Sequence, residues 1–66
     1  MKIKFHAIVA QLEKPGQWNL VGLYIPGMGH MPAINQKREV IDQAWKMVAP
    51  EVKSKGAKIV TLEGEA

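Results

Sequence analysis

The chain has no cysteine, and it has only one aspartate, one serine and one threonine in 66 residues. Without cysteine it forms neither a disulfide framework nor a thiolate zinc site, the two staples most common in small domains. Its single aspartate is Asp42, and no acidic residue occurs among the first twelve. A nuclease that works through metal ions needs several carboxylates to hold them, so that chemistry is not expected. Ser54 and Thr61 are the only aliphatic hydroxyls and His6 and His30 the only imidazoles. No spacing among them suggests a nucleophile, a base and a group to orient the base. The expectation is a protein that is not an enzyme, with no cofactor and no bound metal.

Long apolar runs are also missing. None approaches the roughly 20 residues that cross a bilayer as a helix, and Met1-Lys2-Ile3-Lys4-Phe5-His6 alternates instead of forming the core of a signal peptide. A soluble, cytoplasmic protein is expected. Charge is modest, with nine Lys and Arg against six Asp and Glu, net +3. Such a bias favours acidic partners or nucleic acid only weakly, and a solvated basic face accounts for it.

What is present is a clear period. From Lys2 to Leu12, Ile3, Phe5, Ala7 and Val9 alternate with Lys2, Lys4 and His6, and beyond His6 both faces turn apolar, which predicts a strand covered on both sides at its far end. Glu13 to Gln17 is a turn set by Pro15 and Gly16. Trp18 to Ile25 reads as one return strand, with Trp18, Leu20, Gly22 and Tyr24 on one face. Asn35 is positioned to cap a helix whose stripe is Ile41, Trp45, Val48 and Val52, widened by Val40 and Ala44. Pro50 should kink or end that helix near Ala49. Ala57 to Glu63 is a last strand, and the tail Glu63-Gly64-Glu65-Ala66 is expected to fray. The fold class that follows is α+β, a single domain over residues 1–66. It has a small antiparallel sheet of three to four strands and one amphipathic helix, in the order β-β-(β)-α-β with a short third strand at Met28 to Met31. A chain this short buries only about 60% of the surface its unfolded form exposes, so a homo-oligomer, most simply a dimer, is expected to supplement the core.

The segment Tyr24-Ile25-Pro26-Gly27-Met28-Gly29-His30-Met31-Pro32 concentrates unusual residues. Met28, His30 and Met31, with His6 across the sheet, are soft ligands of the kind that suit Cu(I), but methionine also fills irregular apolar gaps and interfaces, which is the favoured reading. Trp18 and Tyr24 could stack bases, although core or interface packing explains them without a basic strand beside them. The candidate partner-binding set is therefore Pro26, Gly27, Met28, His30, Met31, Trp18 and Tyr24. An alternative is a small nucleic-acid-binding protein using Lys37, Arg38, Lys46 and Lys53 around the helix.

One resemblance bears on these readings. Phe5-His6-Ala7-Ile8-Val9, then Trp18-Asn19-Leu20-Val21, the corner Ile25-Pro26-Gly27-Met28 and the helix segment Glu39-Val40-Ile41-Asp42-Gln43-Ala44 together resemble the HicB-like antitoxin domain in order and spacing. The resemblance implies a partial RNase H-like module that dimerises and neutralises a small toxin protein by covering its active surface. The chain departs from the family pattern in two ways. It has Ala33-Ile34-Asn35 where the family usually has a Gly-Asp-Thr type helix start, and it is net basic where such antitoxins tend to be acidic.

Overall fold

The computed structural model describes residues 1–65. The elements in chain order are β1 (Lys2–Ala10), β2 (Asn19–Leu20), β3 (Gly22–Ile25), β4 (Gly29–Pro32), β5 (Ile34–Asn35), α1 (Arg38–Met47), α2 (Pro50–Lys53) and β6 (Lys58–Glu65). This is an α+β domain with one main helix. Its principal sheet has four antiparallel strands and β1 at the centre, and β3 and β4 form a separate two-stranded ribbon.

Along one edge of β1 runs β6, paired in unbroken register from Lys2↔Glu65 to Val9↔Lys58. The other edge is shared: β5 meets it at His6 and Ala7, and β2 meets it at Val9 and Ala10. Between those two stretches three backbones meet. The Val21 N–H donates to the Ile8 carbonyl at 2.9 Å, the Ile8 N–H to the Ala33 carbonyl at 3.0 Å, and the Ala33 N–H to the Val21 carbonyl at 2.9 Å. Ile8, Val21 and Ala33 are all buried, so these bonds satisfy groups that water cannot reach. From this junction the chain leaves as β3 and returns as β4, an arm built off the main sheet.

The expected single return strand from Trp18 to Ile25 is thus two strands. Only Asn19 and Leu20 pair with β1; beyond Val21 the chain changes sheet, and Gly22 to Ile25 pairs with Pro32 to Gly29 instead. The reason is competition for one edge, since β5 occupies the positions on β1 that a continuous return strand would have taken. The short third strand runs Gly29–Pro32, with Met28 in the turn before it.

The core gathers Ile8, Ala10, Val21, Ala33, Ile41 and Val48, with Leu12, Leu23, Ala44, Trp45, Val52, Ala57 and Ile59 packed around them. Ile8 and Ile41 are the largest fully buried side chains, each contributing about 1.5–3 kcal/mol by leaving water. The helical stripe Ile41, Ala44, Trp45, Val48, Val52 lands on this core, whereas Val40 lies outside it, 43% exposed.

Asn35 does not cap the helix. It is the second residue of β5, and its Oδ1 accepts the Lys37 N–H at 2.9 Å, so the N-cap position falls on Lys37 without a side-chain cap. Pairing with His6 holds Asn35 in the sheet and delays the helix by two residues. The break at Pro50 is a clean stop: α1 ends at Met47, Ala49 is extended as the residue before a proline prefers, and Pro50 opens α2 as its first residue. The acidic tail is also more ordered than its composition suggested. Glu63, Gly64 and Glu65 lie in β6 opposite Lys4, Ile3 and Lys2, with Glu63 3.8 Å from Lys4 and Glu65 3.8 Å from the chain's amino group; Ala66 falls outside the described residues.

Candidate interaction surface

The β3–β4 arm is built around a tight reversal. Pro26 and Gly27 occupy the centre of a turn closed by the Met28 N–H donating to the Ile25 carbonyl at 2.9 Å, and Gly27 adopts φ +86°, the conformation that the third position of a type II turn needs. Cross-strand pairs are Leu23↔Met31 and Tyr24↔His30, so the arm has two unlike faces. On one, Leu23 packs back onto the core. On the other, the Tyr24 and His30 rings meet edge-on with centroids 5.4 Å apart. Tyr24 remains 62% exposed and Met28, at the tip, 65%.

Six of the seven predicted partner-binding residues, Tyr24, Pro26, Gly27, Met28, His30 and Met31, therefore fall on this one arm. Trp18 does not join them. It precedes β2, and the Lys58 ammonium sits 4.3 Å from its ring centroid. The shared strand face expected for Trp18 and Tyr24 is lost when the chain changes sheet at Val21. His6 is likewise apart, hydrogen-bonded through Nδ1 to the Thr61 hydroxyl at 3.1 Å on the main sheet. Among the described residues no three His, Cys, Asp or Glu side chains converge.

One signal in the sequence marks the arm and its supports without any motif. From Pro15 to Gln36 the chain carries no Asp, Glu, Lys or Arg. That stretch includes β2, β3, β4 and β5, so the projecting surface is apolar and uncharged while every formal side-chain charge lies elsewhere.

The basic residues proposed for nucleic acid do not form one free row. Arg38 donates through Nε to Asp42 at 3.0 Å, and the Lys53 ammonium sits 5.1 Å from the Trp45 ring centroid. Lys37 precedes α1, Lys46 lies in its last turn, and Lys53 belongs to α2, beyond the break before Pro50. Elsewhere an open cleft of about 480 Å³ lies between the turn after β1 and the exit of α2, lined by Gln11 to Pro15 and Ser54 to Gly56. Its polar groups are partly occupied: Ser54 donates to the Glu51 carbonyl, Lys55 reaches the Leu12 carbonyl, and Gln11 accepts the Gly16 N–H. No helix is long and apolar enough among the described residues to cross a membrane.

No family model, curated protein or solved structure matches the chain.

Proposed function

We propose that this chain is a non-catalytic, cytoplasmic interaction module. In the manner of the HicB-like antitoxins that it resembles, it neutralises a small toxin protein by covering the toxin's active surface. The observation that carries this reading is the exposed apolar arm. Tyr24 and Met28 stand in water at the end of a short ribbon whose opposite face is anchored in the core through Leu23. Exposing such side chains costs solvation, and aromatic residues and methionine are enriched where proteins meet. Chemistry is a weaker reading, because the side chains that could act as nucleophile, base or metal ligand are few and dispersed.

The partner's complementary surface is apolar rather than strongly charged, since the arm has no formal charge to offer. This differs from the acid-on-base pairing expected of the family and replaces electrostatic steering by shape and burial. Self-association into a homo-oligomer accompanies toxin binding in this proposal and compensates for a core of seven buried hydrophobic side chains among the described residues.

Co-expression with the product of a small neighbouring reading frame tests the proposal. Growth arrest by that product should be suppressed and the two should co-purify after nuclease treatment, while Tyr24→Asp combined with Met28→Asp should abolish both effects and leave circular dichroism unchanged. Suppression and co-purification that survive the double substitution would rule the arm out as the contact. Binding of nucleic acid that falls linearly with log salt would transfer the function to Lys37, Arg38, Lys46 and Lys53.

A further inference from the structure

The free edge of β6 is the longest unpaired backbone among the described strands. In an antiparallel ladder, the groups of successive residues point alternately to the two sides. Because the Ile8 N–H and carbonyl engage Ala33 and Val21, the even-numbered residues of β1 point away from β6, and Ile59, opposite Ile8, makes no ladder bond to it. The same alternation turns the backbone groups of Ile59, Thr61, Glu63 and Glu65 outward along the edge.

This edge lacks two of the usual protections, a bulge and a proline. Its register with β1 runs without a slip over eight pairs, so there is no bulge to twist it away, and the strand has no proline. Its centre, Ile59-Val60-Thr61, is a run of β-branched residues that favour extended structure. Lys58 opens the strand and Glu63 and Glu65 close it, so the two ends carry opposite charge.

We propose that a second copy of the chain pairs along β6, antiparallel and about a twofold axis at Thr61. Antiparallel pairing brings the basic end of each strand to the acidic end of the other, whereas parallel pairing would set acid beside acid. Lys58 and the two glutamates lie on opposite faces of the sheet, so the attraction acts between strand ends and not as a direct cross-strand pair. The register then follows from placing the axis on a hydrogen-bonded pair. A self-opposed, hydrogen-bonded pair must be centred on an outward residue. Centring on Glu63 would oppose like charges, and centring on Ile59 would leave the end of the strand unpaired. Centring on Thr61 opposes Ile59 to the partner's Glu63 and uses nearly the whole strand. Val60 then stands opposite the partner's Leu62, and the two apolar outer faces, each with Phe5 and a half-exposed Leu62, merge into one. The inference deepens the self-association proposed above and rests on it; toxin capture by the arm is a separate event.

Mass measurement by light scattering over roughly a hundredfold range of concentration tests it, because dimerisation follows mass action. The wild-type chain should have the mass of a dimer. Thr61→Lys and Thr61→Glu each place like charges face to face at the axis and should give monomers with unchanged circular dichroism, and an equimolar mixture of the two should recover the dimer mass. Amide exchange on the wild-type protein covers the case of misfolded variants: the outward N–H groups of Thr61 and Glu63 should be protected in proportion to the dimer fraction. Tyr24→Asp should leave the dimer intact even if it abolishes toxin binding. A monomeric wild type, variants that still dimerise, a mixture that stays monomeric, or outward amides that exchange freely in the dimer would each overturn the proposal.

Discussion

Val21 and Ile8 are joined by a backbone hydrogen bond of 2.9 Å at a point where neither β2 nor β5 pairs with β1, so this bond and its two companions at Ala33 hold together what the strands leave open. The junction fixes where the arm departs, and it depends on the packing of the Ile8 side chain beneath it.

Ile8→Ala should therefore cost about 3–4 kcal/mol, through lost burial and a residual cavity. A chain of this size has roughly 3–10 kcal/mol of stability in total. The variant should lose more than about 15 °C in Tm, or be unfolded at room temperature. Thermal unfolding followed by circular dichroism is the check, and a loss below about 5 °C would place Ile8 outside a closed core.

Adjacent residues on α1 should behave oppositely. Ile41 is 1% exposed and Val40 43%. Ile41→Ala should cost about 2–5 kcal/mol, while Val40→Ala should stay within about 0.5 kcal/mol. Equal costs in chemical denaturation would mean that the helix is rotated from the orientation described.

Gly27 offers a purely conformational test. Nothing lies within 4 Å of a β-carbon placed there, yet its φ is +86°. Gly27→Ala should thus destabilise the arm by about 1–2 kcal/mol through backbone strain alone, and Gly27→Asn by less. Faster amide exchange at Met28, with little change at Ile8, would show that the loss stays local to the arm.

The Lys58 ammonium over Trp18 should be measurable as a coupling. A double-mutant cycle with Trp18→Leu and Lys58→Met should return about 0.5–1 kcal/mol, the range for a partly exposed cation over an aromatic face. The coupling should shrink at high salt, and a value indistinguishable from zero at low salt would make the contact incidental.

Local patterns in the sequence were enough to indicate β1, the helical stripe and the break at Pro50, because each is decided by neighbours along the chain. Ile41, Trp45 and Val48 declare a helix face wherever it packs, and a proline ends a helix through its own ring. The split at Val21 was hidden because alternation shows that a strand exists but not which strand it joins. Asn35 follows the same logic: its side chain is suited to capping, and only the pairing with His6 takes it into the sheet. Glu63 and Glu65 looked like a solvated tail because their partners, Lys4 and the chain's amino group, lie at the other end of the sequence. The arm's residues were singled out from composition, and the charge-free run from Pro15 to Gln36 is the signal that would have joined them to β2 and β5.

The pairing of β1 with β6 also sets an order of events in time. During synthesis β1 is made first, and its longest neighbour, beginning at Lys58 opposite Val9, is made last of the described elements. Until then β1 has along its edges only the four residue pairs of β2 and β5 and the Ile8 bonds to Val21 and Ala33. The sheet therefore closes late, by a contact between distant parts of the chain, which is the kind that slows folding. In that interval an apolar strand waits with one side open, and a nascent chain interrupted before Lys58 has no ladder to complete.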